Sequence, residues 1–396
     1  MNPKGKRPPH SPRHIFYACF EDLTREAAWT IHIREVVNGW EKLGMSVTLF
    51  APKVYPFGVA PKATVVYVPT IDVRYLREYV YLLILPFFIL WHGVGSRPEA
   101  IYCREMSLVA PIVCVARLLG APVIMEINGY VLEEMRLAGA HPLKRSVFRL
   151  LQLVSLALAD ALVFVSPSLR ETFLGAYALN PNKTHVVPNG VDTDAFCPGD
   201  RADAVGALGL DPQKRYITFV GSFYPHAETP LIVRSAAVVL KGRAEARFLM
   251  IGDGHERPAC ERSARDLSIS SGLFFLGSRP HGEIPAYIRA SDLLINVRRF
   301  YEEGSMKMLE YMSCGGAVIS NFRCLYGVSL SHGRDYFRLD DPSPEGLARA
   351  IITLLDDQAL KRRIRKRARA LILENFSWEK TAERLLEVID EVRENR

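Results

Sequence analysis

One segment of the chain combines acidic, basic and small residues beside apolar ones. It has the sequence FYEEGSMKMLEYMSCGGAVIS and contains Glu302, Glu303, Lys307 and Glu310. Carboxylates accept hydrogen bonds from hydroxyl groups, and a lysine neutralises phosphate charge. A helix that begins just after Gly304 would direct free backbone N–H groups toward the same ligand. The segment therefore predicts a site for a ligand that carries both hydroxyl and phosphate groups.

The composition of the chain limits its class. The chain has 396 residues, 49% hydrophobic and 23% charged, which is typical of a globular protein of about two domains. The net charge is +7, and four of these charges (Lys4, Lys6, Arg7 and Arg13) lie in the first 14 residues, which leaves +3 for the rest. This remainder is too small to predict a nucleic-acid partner.

The cysteines and the N-terminus bear on the cellular compartment. None of the seven cysteines has CxxC or Cys/His ligand spacing, so we expect a reducing, cytoplasmic compartment and no structural zinc. Residues 1–14 lack the apolar core of a signal peptide and are rich in proline and basic residues, which predicts a disordered basic tail.

An alternation of short apolar runs and helical stretches occurs twice along the chain. Seven apolar runs, from HIFYACF to THVVPNG, predict the strands of one parallel sheet, and five more, from YITFVGSF to AVISNF, predict a second. We therefore predict an α/β protein with two Rossmann-like, doubly wound domains, residues 15–198 and residues 199–377.

An apolar stretch in the first predicted domain raises the question of a membrane. Residues 79–96, YVYLLILPFFILWHGVGS, contain no Asp, Glu, Lys or Arg, but Pro86 interrupts them and their length is borderline for a membrane span. The alternation of strands and helices also requires a crossover helix at this point. We expect a buried or membrane-surface helix, with the inner face of a membrane as a candidate partner.

Five segments, taken in order, resemble the retaining GT-B glycosyltransferases of family 4. They are VVPNGVDTDAF, FLMIGDG, LFFLGSRPHGEIPAYIRASDLLINV, the acidic segment above and FSWEKTAERLLEV. The resemblance extends over nearly the whole chain. It implies two domains that face a cleft, with the last helix, residues 378–396, crossing back to the N-terminal domain. It also implies hexosyl transfer from a nucleoside diphosphate sugar, held by the C-terminal domain, to a glycan, a lipid-linked or a small-molecule acceptor.

The family carries two glutamates separated by seven residues, and Glu302 and Glu310 have that spacing. By resemblance, Glu302 contacts the transferred sugar and Glu310 the ribose. We expect Glu302 and Lys307 to be the catalytic residues, and Ser305 to cap the helix that follows. The other candidates for donor binding are loop, turn and helix-start residues: Gly221, Ser222, His226, Gly252, Arg279, Pro280, Glu303, Gly304, Ser305 and Met306.

One departure from the family pattern affects the predicted donor site. The Arg and Lys that members usually carry after the first strand of the second domain are absent, because GSFYPHAE stands there. Charge stabilisation then falls to helix N-termini, to Lys307 and to Arg298 or Arg299. No DxD-like acidic cluster stands where the diphosphate is expected, so we expect neither a metal ion nor any cofactor beside the sugar nucleotide.

The acceptor side is predicted in the N-terminal domain. Glu126 and Asn128 end a predicted strand, where open α/β sheets bind ligands. His32 matches a histidine in the first helix of the family, with a packed structural histidine as the alternative. Two other functions remain open: a sugar-nucleotide 2-epimerase of the same fold, and a non-catalytic subunit that binds sugar nucleotides.

Overall fold

The computed structural model describes residues 13–21, 23, 28–53, 63–73, 76–137, 139–299 and 305–396. The chain folds into two compact units. The first unit comprises Met1–Asn189 and Trp378–Arg396, and the second comprises Gly190–Ser377. The predicted residues Glu302, Glu303 and Gly304, together with the side chain of His226, lie outside the described residues.

Seven parallel strands form the sheet of the first unit. They are β1 His14–Ala18, β2 Ser46–Pro52, β3 Thr64–Val68, β4 Ala100–Arg104, β5 Val123–Ile127, β6 Ala161–Phe164 and β7 Thr184–Val186. Their order across the sheet is β3-β2-β1-β4-β5-β6-β7, so the direction of winding reverses between β1 and β4. Every residue of β4 and β5 is buried, which explains why these strands appear in the sequence as continuous apolar runs.

Helices cover both faces of this sheet. The first unit contains α1 Ala28–Lys42, α2 Arg77–Gly95, α3 Ala110–Leu119, α4 Val131–Leu137, α5 Pro142–Leu158 and α6 Pro167–Tyr177. One apolar core joins buried residues of α2, α3, α5 and α6 to one face of the strands. On the opposite face, Trp40 of α1 packs its ring 5.2 Å from that of Tyr102 and 6.1 Å from that of Tyr17.

The apolar stretch predicted as a crossover helix is α2, between β3 and β4. Its buried residues include Tyr81, Leu85 and Ile89, and the hydroxyl of Tyr81 donates to the carbonyl of Phe50 at 3.0 Å. Among the described residues, only this helix is long and apolar enough to cross a membrane, judged by length and composition alone. In the 18-residue stretch of the helix that meets this test, 33% is buried inside the protein. Because its inner side packs in the core of the sheet, α2 is part of the fold.

A second parallel sheet forms the centre of the second unit. Its strands are β8 Arg215–Val220, β9 Ala246–Ile251, β10 Leu273–Gly277, β11 Leu293–Asn296 and β12 Val318–Ser320, followed by a short hairpin of β13 Cys324–Leu325 and β14 Val328–Ser329, and then by β15 Phe337–Arg338. The sheet order is β10-β9-β8-β11-β12-β15. The last three strands were not predicted, because two residues are too few for a periodic pattern.

Seven helices of the second unit lie in the described chain. They are α7 Arg201–Ala207, α8 Thr229–Gly242, α9 Arg257–Asp266, α10 Ile284–Ala290, α11 Met306–Ser313, α12 Pro344–Asp356 and α13 Gln358–Asn375. Two apolar cores, one on each face of the sheet, hold them in place. The prediction of two doubly wound units is therefore confirmed.

The last helix, α14 Trp378–Glu394, belongs to the first unit and packs on α1. The indole N–H of Trp40 donates to the carbonyl of Ala382 at 3.2 Å. A Cβ added to Gly39 would lie only 2.7 Å from the Cβ of Ala382, so the two helices approach closely at this glycine. Thr381 donates to the carbonyl of Pro188 at 3.0 Å and fixes the start of the helix.

Candidate functional site

Two glycine turns and one lysine meet at the carboxyl end of the second sheet. Gly221 follows β8 and Gly252 follows β9, both at positive φ, 151° and 124°. A Cβ on Gly252 would lie 1.9 Å from the carbonyl oxygen of Gly221, and a Cβ on Gly221 would lie 2.2 Å from Nζ of Lys307. At position 252 only glycine leaves room for this approach, because its Cβ would meet backbone atoms, whereas at position 221 a Cβ would meet the flexible end of a side chain. The structure thus brings together two of the predicted donor-binding residues and the predicted catalytic residue Lys307.

The position of Lys307 is set by α11. Tyr311, one turn further along this helix, uses its hydroxyl to accept from the backbone N–H of Val220 at 2.7 Å, which ties α11 to the end of β8. The ammonium group of Lys307 lies 4.4 Å from the ring centroid of Phe219, within cation–π range. A cation is therefore held where the first strand of the unit ends and a helix begins.

Ser305 occupies the N-cap position of α11, but the prediction that its side chain caps the helix is wrong. Its hydroxyl accepts no hydrogen bond from the first turn and instead lies 3.5 Å from Oδ1 of Asn296. Both side chains are buried, and the hydroxyl donates to this amide oxygen. The next residue, Met306, packs against the apolar core. The N–H groups of the first turn therefore receive no capping bond from Ser305.

Glu310 has a partner that sequence reasoning missed. Nε2 of His281 lies 2.8 Å from Oε1 of Glu310. The histidine stands in a short 3-10 turn, His281–Glu283, between β10 and α10, and its ring contacts that of Phe196 at 5.1 Å. Its neighbours Arg279 and Pro280 were predicted to lie near the base of the nucleotide. His281 directly follows these two residues in the chain, so the prediction for them could also have pointed to the histidine.

The remaining predicted residues of the second unit lie at the surface. Ser222, Arg279 and Pro280 are exposed. Of the two arginines considered for charge stabilisation, Arg299 pairs with Glu228 at 2.8 Å, while the backbone of Arg298 is held by the side chain of Asn321. Lys307 is therefore the predicted cation that the structure places directly beside the glycine turns.

In the first unit, His32 and Glu126 form a buried pair. Nε2 of His32, on α1, lies 2.6 Å from Oε1 of Glu126, at the end of β5, and their exposed fractions are 5% and 1%. Arg104 and Tyr17 approach the same carboxylate at 3.9 and 3.5 Å. Burial alone would raise the pKa of Glu126, but His32 and Arg104 outweigh it and lower the pKa to about 2.

This pairing determines what His32 and Glu126 are able to contact. The ring of His32 also packs edge-on against Trp378 at 5.4 Å. The arrangement favours the alternative of a packed structural histidine. Asn128, two residues beyond Glu126, is partly exposed, while its Nδ2 is itself buried and has no hydrogen-bond partner in the described part of the chain. Asn128 is thus the predicted acceptor-side residue that a ligand reaches most directly.

The two Rossmann-like units define the GT-B class of fold, and solved structures agree. A glycosyltransferase from Rickettsia africae ESF-5 superposes with a TM-score of 0.74 at 13% identity, covering 98% of this chain and 100% of that one. Anabaena HepE in complex with UDP and glucose gives 0.71 at 14% identity, with 95% and 99% covered. Likeness at this level of identity concerns the fold alone.

Family models match both halves of the chain. Residues 30–195 match Glycosyltransferase Family 4, and residues 200–371 match Glycosyl transferases group 1. The chain belongs to this family of glycosyltransferases, as its motifs predicted. A D-inositol 3-phosphate glycosyltransferase of Rhodococcus jostii (strain RHA1) is 31% identical over 236 residues, which are 58% of this chain and 52% of the relative. The chain thus spans about half the length of the curated relatives it matches.

Proposed function

We propose that the protein is a retaining hexosyltransferase that moves a sugar from a nucleoside diphosphate sugar to an acceptor hydroxyl. The observation that carries this proposal is the amine of Lys307, set against the Gly221 turn at the carboxyl end of the second sheet. Open α/β sheets bind nucleotides at this end. Family membership supplies the reaction class, and a UDP sugar is the first donor to test because Anabaena HepE, a protein of the same fold, was solved in complex with UDP and glucose.

The second unit holds the donor in this proposal. The diphosphate lies between the glycine turns and the first turn of α11, where backbone N–H groups and Lys307 face its charge. Glu310 accepts hydrogen bonds from the ribose hydroxyls, and His281 orients this carboxylate through Oε1. The family resemblance assigns Glu302 to the transferred sugar, with Glu303, Ser305 and the other loop residues around it.

The reaction follows from that placement. The bond between the anomeric carbon and the diphosphate oxygen breaks, and the acceptor oxygen bonds to the same face of the sugar. The leaving phosphate oxygen takes the proton of the acceptor hydroxyl. Negative charge grows on the diphosphate as the bond breaks, so Lys307 and the N–H groups of α11 stabilise the transition state more than the ground state. The reaction then needs neither a metal ion nor another cofactor.

The first unit supplies the acceptor side. Asn128 contacts the acceptor, while the buried pair of His32 and Glu126 fixes the end of β5 that carries it. A glycan, a lipid-linked sugar or a small polar molecule satisfies this arrangement. D-inositol 3-phosphate is the first acceptor to assay because it is in the name of a relative. All seven cysteines are free thiols, which supports the cytoplasm as the place of the reaction.

A two-stage experiment tests the proposal. Thermal shift with UDP, GDP and ADP sugars identifies the donor, and turnover is then measured with and without candidate acceptors. Lys307→Ala should lower kcat by about 10- to 150-fold, the loss of about 1.5–3 kcal/mol expected for one charged hydrogen bond. Lys241→Ala, which removes an exposed lysine on α8, is the matched control and should change nothing.

The same assay separates the alternative functions. A sugar-nucleotide 2-epimerase would change the nucleotide sugar in the absence of any acceptor and would release no sugar to one. A non-catalytic subunit would bind the donor with no turnover under any condition. Either result, or full activity in Lys307→Ala, would contradict the proposal.

A further inference from the structure

We propose that the outward face of α2, α3 and α5 in the first unit docks on an anionic lipid bilayer. The inference is drawn from the exposed residues of that unit and does not depend on the transfer reaction. It assigns an occupant to an apolar and basic face that the proposed donor and acceptor sites do not use.

The apolar part of this face begins on α2. Leu83, Phe87, Trp91 and Val94 are exposed to 65%, 72%, 82% and 76%, and their spacing of four, four and three residues places them on one side of the helix. The opposite side carries the residues that pack against the sheet. Phe87, Trp91 and Val94, with Leu90, also line a shallow groove of about 560 Å³. A contiguous apolar patch of this kind marks an interaction surface.

The patch continues over the two neighbouring helices. α3 packs against both α2 and α5, so the three helices lie side by side on one face of the sheet. A Cβ on Gly93 of α2 would lie 2.4 Å from Leu119, which shows how closely α2 and α3 pack, and Leu118 beside it is 75% exposed. On α5, the exposed apolar residues follow a spacing of four, three and four: Leu143, Val147, Leu150 and Val154.

The charged residues of these helices are predominantly basic. The three helices contain a single acid, Glu78, whose carboxylate accepts from the backbone N–H of Ser107 at 3.1 Å. Arg77, at the start of α2, pairs with Asp72. The other cationic residues of the three helices are Arg117, Lys144, Arg145 and Arg149. A helix face that combines apolar and aromatic residues with basic ones is complementary to the interface of an anionic membrane.

A basic recess adjoins the start of α5. It has a volume of about 350 Å³, and its lining includes Tyr130, Arg136, Arg145, Ser146 and Arg149. Glu133 also lines it and pairs with Arg136 at 2.5 Å. The Nε of Arg145 is buried and has no hydrogen-bond partner among the described residues. A phosphate of a lipid headgroup offers the acceptor oxygens that this group lacks.

Charge also argues against a second copy of the chain as the occupant. A two-fold symmetric dimer through this face would bring the cationic residues of one α5 close to those of its partner, and like charges would repel. An anionic bilayer accepts the basic residues and the apolar ones together, with Trp91 at the level of the headgroups.

Sedimentation with vesicles tests the proposal on the full chain. Vesicles of phosphatidylcholine with about 30% phosphatidylglycerol should bind the protein, binding should fall as salt rises, and phosphatidylcholine alone should bind it much less. The variants Phe87→Glu with Trp91→Glu, and Lys144→Glu with Arg149→Glu, should each weaken binding by about tenfold or more. The matched control is Lys241→Glu with Arg262→Glu, two exposed residues of the second unit, and it should bind as wild type does.

Tryptophan fluorescence tests the orientation. Of the four tryptophans, Trp40 and Trp378 are buried, Trp29 is 38% exposed and Trp91 is 82% exposed. Binding to anionic vesicles should shift the emission to shorter wavelengths in the wild type. Trp91→Phe keeps an apolar side chain, so it should still sediment with vesicles but should lose most of this shift.

Several outcomes would overturn the proposal. They are no binding to anionic vesicles, equal binding to neutral ones, or an unchanged fluorescence shift in Trp91→Phe. A dimer that Phe87→Glu with Trp91→Glu dissociates in the absence of lipid would assign the face to a second copy instead. Thermal unfolding and UDP binding should stay unchanged in all these variants, which separates failure of the docking proposal from failure of the transferase proposal.

Discussion

Gly221→Ala separates the position of the Lys307 amine from its charge. The new Cβ would lie 2.2 Å from Nζ and 3.0 Å from Cε, so the flexible end of the lysine must move away while the backbone of α11 stays in place. The variant should therefore lose most of what Lys307→Ala loses, up to about 1.5–3 kcal/mol of transition-state stabilisation, or about 10- to 150-fold in kcat. Because Gly221 has a φ of 151°, we also expect the free energy of unfolding to fall by about 1–3 kcal/mol.

A double-mutant cycle makes this prediction quantitative. If the new methyl group acts by displacing the amine, adding Gly221→Ala to Lys307→Ala should change kcat little further. Steady-state kinetics on the four proteins, with urea unfolding beside them, provides the data. Gly206→Ala is the control, because nothing lies within 4 Å of its Cβ position and its helical backbone tolerates alanine. Wild-type turnover in Gly221→Ala, or losses that multiply in the double variant, would refute the reasoning.

Four further predictions follow from the two units. Glu310→Gln should weaken the binding of UDP itself by about 1.5–3 kcal/mol. His281→Ala should weaken UDP binding less, because the histidine only orients the carboxylate. If calorimetry shows that Glu310→Gln and the wild type bind UDP equally, the ribose contact is contradicted. Glu302→Gln should lower kcat with little change in UDP affinity, whereas Glu303→Gln should be silent; a kcat loss confined to Glu303→Gln would assign the role to the other acid. Activity should persist in EDTA, and a loss that magnesium restores would show that the diphosphate needs a cation. Finally, the pKa of Glu126 is lowered from 4.5 to about 2 in the folded state, so the unfolded state binds more protons between these values. The stability that this carboxylate contributes should be present above about pH 4.5 and lost as the pH falls through that window, and urea unfolding of Glu126→Gln should lack this part of the pH dependence.

The elements that the sequence predicted well are those whose residues all face the core. Strands such as β4 and β5 are buried on both sides, so their apolar runs are continuous, and the restart of that pattern marks the second unit. The two-residue strands β13 to β15 carry no such signal. The predicted cap at Ser305 failed for a different reason: its hydroxyl is directed toward Oδ1 of Asn296, at the end of β11, and this contact arises only in the tertiary structure.

In the candidate site, too, contacts between residues far apart in the chain could not be predicted from the sequence. Lys307 and Gly221 were predicted separately, from a helix start and a strand end, and their contact appears only when α11 is placed against β8. His281 and Glu310 are 29 residues apart, and nothing in one sequence links them. The burial of His32 against Glu126 likewise depends on the packing of α1 on the sheet and of Trp378 on α1, which no local pattern contains.

The stereochemistry of donor hydrolysis tests the central claim most directly. The protein is incubated with the nucleotide sugar that binds best in the thermal-shift screen, without an acceptor, so that water takes the acceptor's place, and proton NMR follows the first sugar released. Retaining transfer predicts release of the nucleoside diphosphate together with a sugar of the same anomeric configuration as in the donor, at a rate that Lys307→Ala lowers. First release of the opposite anomer, or an epimerised nucleotide sugar with no nucleoside diphosphate released, would contradict it.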